Sequence, residues 1–276
     1  MTTEKATFKF PRAVYVTEPG HNLLRALHQI YTNVALGLNG VERTDIKDLD
    51  LPSAYNFKPS KSPVLLDEAQ TSFKNWIIAN GLRDCAEAVH NLLDETHSAC
   101  LLLTFLANLE NLTGELIEAE YCSRQQKFHR YDLGQKLREL TEKFQVTFKE
   151  DTLRCFRSLN RARNCLVHRS GIVQAADFNL YDELVVEWAT YAIQRADGSE
   201  IELGQPTNSS EIWMAKKLRM RKFQLGSNIN FTNRDFAEFI SNYVFLAWEV
   251  TPYIQEYAYR IGALPRPNAT NLEAVE

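Results

Sequence analysis

The chain has 276 residues, of which 45% are hydrophobic and 24% charged, and its formal net charge is -4. That length admits one large domain or a core domain with decorations, and the composition excludes a disordered or fibrous chain. With an acidic remainder, any anion-binding surface must be a local patch.

The five cysteines, Cys85, Cys100, Cys122, Cys155 and Cys165, are odd in number and lie in apolar, helix-like settings, as small buried thiols do. The opening "MTTEKATFKFP" lacks the apolar run that export requires. The longest apolar stretch, Ala99 to Leu109, is too short to span a bilayer. A cytoplasmic protein without a membrane segment is expected.

Residues 1–62 read as an N-terminal extension and linker. "HNLLRALHQIYTNVALGL", His21 to Leu38, has the period of an amphipathic helix, which Asn39-Gly40 is expected to end. The following segment carries Pro52, Pro59 and Pro63 and no sustained period, as a linker or wrapped loop does. From Pro63 the pattern turns helical. Phe73, Trp76 and Ile77 share one face, and Val89, Leu92 and Leu93 follow after Gly81. A second helix is expected over Leu101, Phe105, Leu109, Leu112 and Leu116, apolar nearly all round at its start, as the central helix of a bundle is. "DLGQKLRELTEKF" predicts a shorter, exposed helix, and Asp151 is placed to cap the next one.

After Gly171 the period changes. "YDELVVEWATYAIQRADGSEIEL" is rich in β-branched and aromatic residues and contains Asp197-Gly198, a strong hairpin turn signal, so a β-hairpin insertion is expected at about 181–204. Lys216, Lys217, Arg219, Arg221 and Lys222 then follow with no acid between them, on an exposed strand or helix edge. The final helix should start at Thr232, where Thr-x-x-Asp235 has the form of a capping box, with Pro252 kinking or breaking it. Residues 263–276 read as a flexible tail.

The chemistry concentrates in "RSLNRARNCLVHRSGI", Arg157 to Ile172. On a wheel of about 100° per residue, Cys155, Leu159, Ala162 and Leu166 make an apolar stripe. Arg154, Arg157, Arg161, Asn164 and His168 share the opposite face. Arg163 breaks the pattern, because an ideal helix would point it into the stripe. Burying a guanidinium there costs several kcal/mol unless a carboxylate or bound anion meets it. Either the helix loosens, or an acid of the central helix, Glu110 or Glu115, pairs with it. A residue that violates the binary pattern without structural benefit is a functional candidate.

The segment "RNCLVHRSG" resembles the HEPN superfamily, whose signature is an arginine, a polar residue, a few more residues and a histidine: here Arg163, Asn164 and His168. The resemblance covers roughly residues 63–262. It implies a mainly α fold, an antiparallel helical bundle of HEPN type, here with an inserted β-hairpin and an N-terminal extension. It also implies a metal-independent endoribonuclease of the kind found in toxin–antitoxin, phage-defence and RNA-processing systems. Arg163, Asn164 and His168 would be catalytic, with no cofactor and no metal. Histidine suits either proton-transfer role, and arginine matches phosphate oxygens with a permanent charge. A single histidine per chain is one group short for acid and base. HEPN proteins commonly meet this by dimerising, which implies a homodimer with a shared cleft. By analogy the products would be a 2′,3′-cyclic phosphate and a 5′-hydroxyl. Some HEPN toxins carry a tyrosine two residues after the histidine, where this chain has Ser170.

RNA contacts are expected from Arg154, Arg157, Arg161, Arg169, Lys216, Lys217, Arg219 and Arg221, with an antitoxin or defence-system protein as a further partner. Two other readings stand beside this one: a non-catalytic HEPN module that binds RNA, a nucleotide or a protein with the same face, and a helical protein–protein scaffold. Cys85, His90, His97 and Cys100 do not make a zinc site on one helix, since Cys85 and Cys100 would lie over about 20 Å apart.

Overall fold

Apolar residues at helical spacing fill most of the chain, and the outcome is mainly helical. A computed structural model describes residues 14–44, 63–108, 114–180, 182–195, 197–201 and 212–266. Among them are six α-helices: α1 (Glu18–Arg43), α2 (Pro63–Ala107), α3 (Gly114–His129), α4 (Leu133–Phe144), α5 (Glu150–His168) and α6 (Asn233–Arg260). The strands β1 (Glu183–Arg195) and β2 (Ile212–Gln224) pair antiparallel along 13 residues each. No described helix is long and apolar enough to cross a membrane.

Two helices are longer than their punctuation predicts. α1 runs on through Asn39-Gly40 to Arg43, because its buried stripe of Leu23, Leu27, Val34 and Leu38 continues to Val41. Gln70 Nε2 also donates to the Val41 and Thr44 carbonyls, at 3.2 and 3.3 Å, and so satisfies the end of the helix. The helix expected from Pro63 and the start of the second helix expected from Leu101 are one, the 45-residue α2. Within it Gly81 serves close packing: a Cβ there would stand 2.6 Å from Val34 Cγ2 and 2.7 Å from Phe236 Cζ. α2 ends at Ala107, short of Leu109 and Leu112, which lie outside the described residues, as do residues 1–13 and 267–276.

The contacts divide the described residues into two units. The first holds 14–24, 89–108, 114–149 and 246–266; the second holds 25–44, 63–88, 150–180, 182–195, 197–201 and 212–245.

In the first unit, α4 is capped at Asp132, whose side chain accepts from Gln135 N while Gln135 returns to the Asp132 backbone. His97 of α2 stacks on Phe128 with ring centres 4.0 Å apart and meets Phe144 edge-on. The Thr104 and Tyr257 hydroxyls are 2.6 Å apart. Lys136 is buried at 2% exposure and extends its ammonium to Asp94 at 2.6 Å; the second oxygen of Asp94 meets His129 Nδ1 at 2.7 Å.

The second unit is built on β1. The Trp188 ring packs edge-on against Phe239 of α6, and Ala189 packs with Cys155 of α5 and Phe245. The β1 edge facing away from β2 is satisfied by side chains. Val185 N donates to Asn179 Oδ1 (2.7 Å), Glu187 N to Ser158 Oγ (2.7 Å) and Ala189 N to Asn242 Oδ1 (3.2 Å). Those bonds let a two-stranded sheet lie inside a helical unit without exposed backbone on its inner edge.

Asp197-Gly198 does make a turn, with Gly198 at φ +79, but the strand that pairs fully with β1 comes later. Residues 199–201 return alongside β1, Ile201 N donating to Ile193 O at 2.8 Å. The partner strand β2 is the basic segment beginning at Ile212, so the hairpin extends beyond 204. Thr232 and Asp235 form the expected reciprocal cap, at 2.7 and 3.1 Å, and α6 continues as helix through Pro252. Asp151 lies inside the first turn of α5 and pairs with Arg154 at 3.1 Å, instead of capping the helix.

Candidate functional site

α5 carries the motif, and its sequence explains its pose. Cys155, Leu159, Ala162 and Leu166 are buried as the wheel requires, and Ser158 fixes the helix to β1 through the Val185 carbonyl at 3.2 Å. The helix stops where Ser170 and Gly171 take left-handed backbone, φ 52 and 79, and the Gly171 N–H returns to the Cys165 carbonyl at 3.2 Å.

Of the two routes expected from the wheel, Arg163 does not take the first, a loosened helix. α5 stays helical through it. No carboxylate pairs with it among the described residues; Glu110 and the Glu115 side chain lie outside them. Its Nη1 instead donates to Asn164 Oδ1 at 2.8 Å, while its Nε is buried without a partner among the described residues. The stem thus leaves the apolar stripe and brings the charged head towards the polar face, as long cationic side chains do. The guanidinium also stands near the fully buried Tyr243. Burial drives that phenol's pKa well up, and Arg163 opposes the shift.

His168 is exposed, one turn beyond Asn164, with no hydrogen bond among the described residues. Arg154, Arg157 and Arg161 are exposed on the same helix. Arg154 is held by Asp151 and by Glu187 of β1 (3.2 Å), and Arg157 by Glu150 (3.2 Å). Arg161 has no ion pair among the described residues.

Arg169 turns inward. It pairs with Asp177 at 3.1 Å, an acid only 3% exposed, and approaches the Asn164 carbonyl at 3.5 Å. Asp177 also accepts from Gln174 N (2.9 Å) and contacts the Cys165 thiol. Burial, with Asp177 adding to it, pushes that thiol up to about 12, so Cys165 is not a nucleophile near neutrality. The sequence reading missed Asp177. Only its helix-capping position, three residues after Gln174, hinted at a structural acid.

The basic strand looks different once its neighbours are in place. Lys217 pairs with Glu200 at 2.6 Å; Arg219 reaches the other Glu200 oxygen and lies 3.9 Å from Glu238. Arg221 pairs with Asp235 at 2.7 Å, and Lys222 with Glu183 at 3.3 Å. Hydrogen bonds from Lys217 and Arg219 hold the Glu200 carboxyl below its usual range. Lys216 stands 4.5 Å over the Phe245 ring and 3.5 Å from Thr152 Oγ1 at the start of α5. Phe223 packs edge-on against Phe231, whereas Trp213 is 45% exposed.

Arg163 and Asn164 are therefore in direct contact, His168 follows one turn after Asn164 with no hydrogen bond among the described residues, and most of the other candidate cations already have protein anions. Among the described residues no group of His, Cys, Asp or Glu is placed to hold a metal ion. No protein-family model, curated protein or solved structure matches the chain.

Proposed function

We propose that the chain is a metal-independent endoribonuclease of HEPN type, with Arg163, Asn164 and His168 as its reacting set. What supports the reading is the Arg163–Asn164 contact: a permanent cation, partly withdrawn from water and lacking a carboxylate among the described residues, presented one helical turn from an exposed imidazole. Such a cation keeps its attraction for a phosphate where no protein anion meets it, and none does among the described residues.

In this reading two copies of the chain meet so that both motifs face one RNA strand. One His168 removes the proton of the 2′-hydroxyl, and the alkoxide attacks the adjacent phosphorus. The second His168, as imidazolium, returns a proton to the departing 5′-oxygen. The Arg163 guanidiniums stabilise the phosphorane, and Asn164 fixes their orientation. The balance leaves a 2′,3′-cyclic phosphate and a 5′-hydroxyl. A toxin–antitoxin or defence setting, and a protein partner that restrains the activity, belong to the same proposal.

One observation favours a second reading, a non-catalytic module that binds RNA, a nucleotide or a protein. Arg154, Arg157 and Arg169 are already neutralised by carboxylates, and so are Lys217, Arg219 and Arg221. Chain ends and Arg163 separate the two. RNA cut by the wild type in EDTA should carry cyclic phosphates, and Arg163→Lys, which keeps the charge but loses the fork, should cut at least tenfold more slowly. Saturable binding with no cyclic-phosphate product would select the second reading.

A further inference from the structure

Beside the C-terminal end of α5 the second unit holds a cavity of about 670 Å³ that the reaction above does not use. Its walls come from one face of α2, from the end of α5 with Ser170, and from Asn228. We infer that this cavity is a subsite for a purine base, which deepens the RNA reading and rests on it in taking the base from an RNA strand.

The first observation is Trp76. An indole with 60% exposure on a cavity wall is unusual for a residue of this size, which normally buries most of its surface. Its orientation is supported from behind, because Phe73 lies nearly parallel to it, ring centres 5.6 Å apart and planes 13° apart. A flat, fixed, exposed aromatic face is the platform on which unpaired bases stack. Purines, with the larger face, gain more from it.

The second observation is the polar lining. Asn75 is half-buried against the end of α5, and its carboxamide has no hydrogen-bond partner among the described residues. Its amide nitrogen would stand 3.8 Å from a Cβ placed on Gly171. Asn80 spends its amino group on the Trp76 carbonyl at 2.7 Å, and its oxygen has no donor among the described residues. Carboxamides of this kind match the mixed donors and acceptors of a base edge.

The third observation is charge, which decides which part of a nucleotide enters. Asp67 and Glu68 line the cavity, and the one cation among its described lining residues, Arg83, is turned to its neighbour Asp84 at 3.3 Å. Carboxylates repel phosphate and accept from base N–H groups. The base enters, then, and the phosphate stays out towards α5.

The test is titration of the whole protein with adenosine, guanosine, uridine and adenosine monophosphate by calorimetry, alongside RNA cleavage. The purine nucleosides should bind at least about tenfold more tightly than uridine, consistent with the contribution of base stacking. Adding the phosphate should not tighten binding, and raising salt should not weaken it. Trp76→Ala should lose about tenfold in nucleoside affinity, with Trp76→Phe between it and the wild type. Nucleosides that bind equally and independently of Trp76 would overturn the subsite, and RNA cleavage in the same preparation would leave the nuclease standing. Purine binding through Trp76 without any RNA cleavage would uphold the subsite and remove the nuclease. Trp76-dependent binding of an arginine-rich peptide in place of nucleosides would overturn the base assignment in favour of a cationic partner.

Discussion

Arg163 shows how a single side chain reconciles a helix with a charge on its wrong face. The side chain is half-buried: its Nε is buried without a partner among the described residues, while its Nη1 meets Asn164 on the polar face. His97 is the opposite case, a titratable ring held neutral. It is 2% exposed, stacked on Phe128 and hydrogen-bonded to Gln125. Burial lowers its pKa from the usual 6.5, and the Gln125 bond only partly offsets this. The unfolded chain therefore binds a proton that the folded chain refuses, and stability falls as pH drops below about 6.5, levelling off below the folded pKa. Urea midpoints measured from pH 8 to 4.5 should show this loss in the wild type, and His97→Leu should remove that component. Parallel curves for the two proteins would contradict the assignment.

What was legible at this scale was the violation of pattern at Arg163; Asn164 and His168 joined it through the resemblance of the motif and not through the wheel. The partners were not legible. Glu200, Asp235, Glu238 and Glu183 neutralise a basic run from which they are separated in sequence, because strand register and α6 bring them there. A local charge count cannot see across a sheet.

Among the elements, periodicity found the helices and misjudged where they stop. Asn39-Gly40 carries the composition of a helix end, yet packing overrode it. Gly81 sits inside α2 for a steric reason, which yields a prediction. Alanine there gains helix propensity of about 1 kcal/mol. Its Cβ meets Val34 and Phe236 at under 3 Å, both of them buried, and overpacking of that kind costs about 1–3 kcal/mol. Gly81→Ala should lower the urea midpoint with the slope unchanged; an unchanged or raised midpoint would show that the two side chains can yield. The cap at Thr232 was readable because it depends only on residues three apart. The β2 strand was harder to read, since its alternation of cations with Leu218 and Met220 suits either an edge strand or a helix.

For the whole molecule, a mainly helical fold with one antiparallel hairpin was legible from composition and period. The two-unit division was not. Contacts far apart in sequence decide which half of α1, α2 or α6 joins which unit. No relative carries the functional account, so it rests on the motif, and on whether an exposed imidazole beside the Arg163–Asn164 pair turns over RNA. The most direct measurement is single-turnover cleavage of a labelled single-stranded RNA in EDTA, wild type against His168→Ala. His168 is exposed and without hydrogen bonds among the described residues, so its loss should leave the circular dichroism and melting temperature unchanged. The account predicts metal-independent cleavage by the wild type and a loss of at least about a hundredfold in the variant, the scale of one proton-transfer group. Equal cleavage by the two proteins, or none by either, would contradict it.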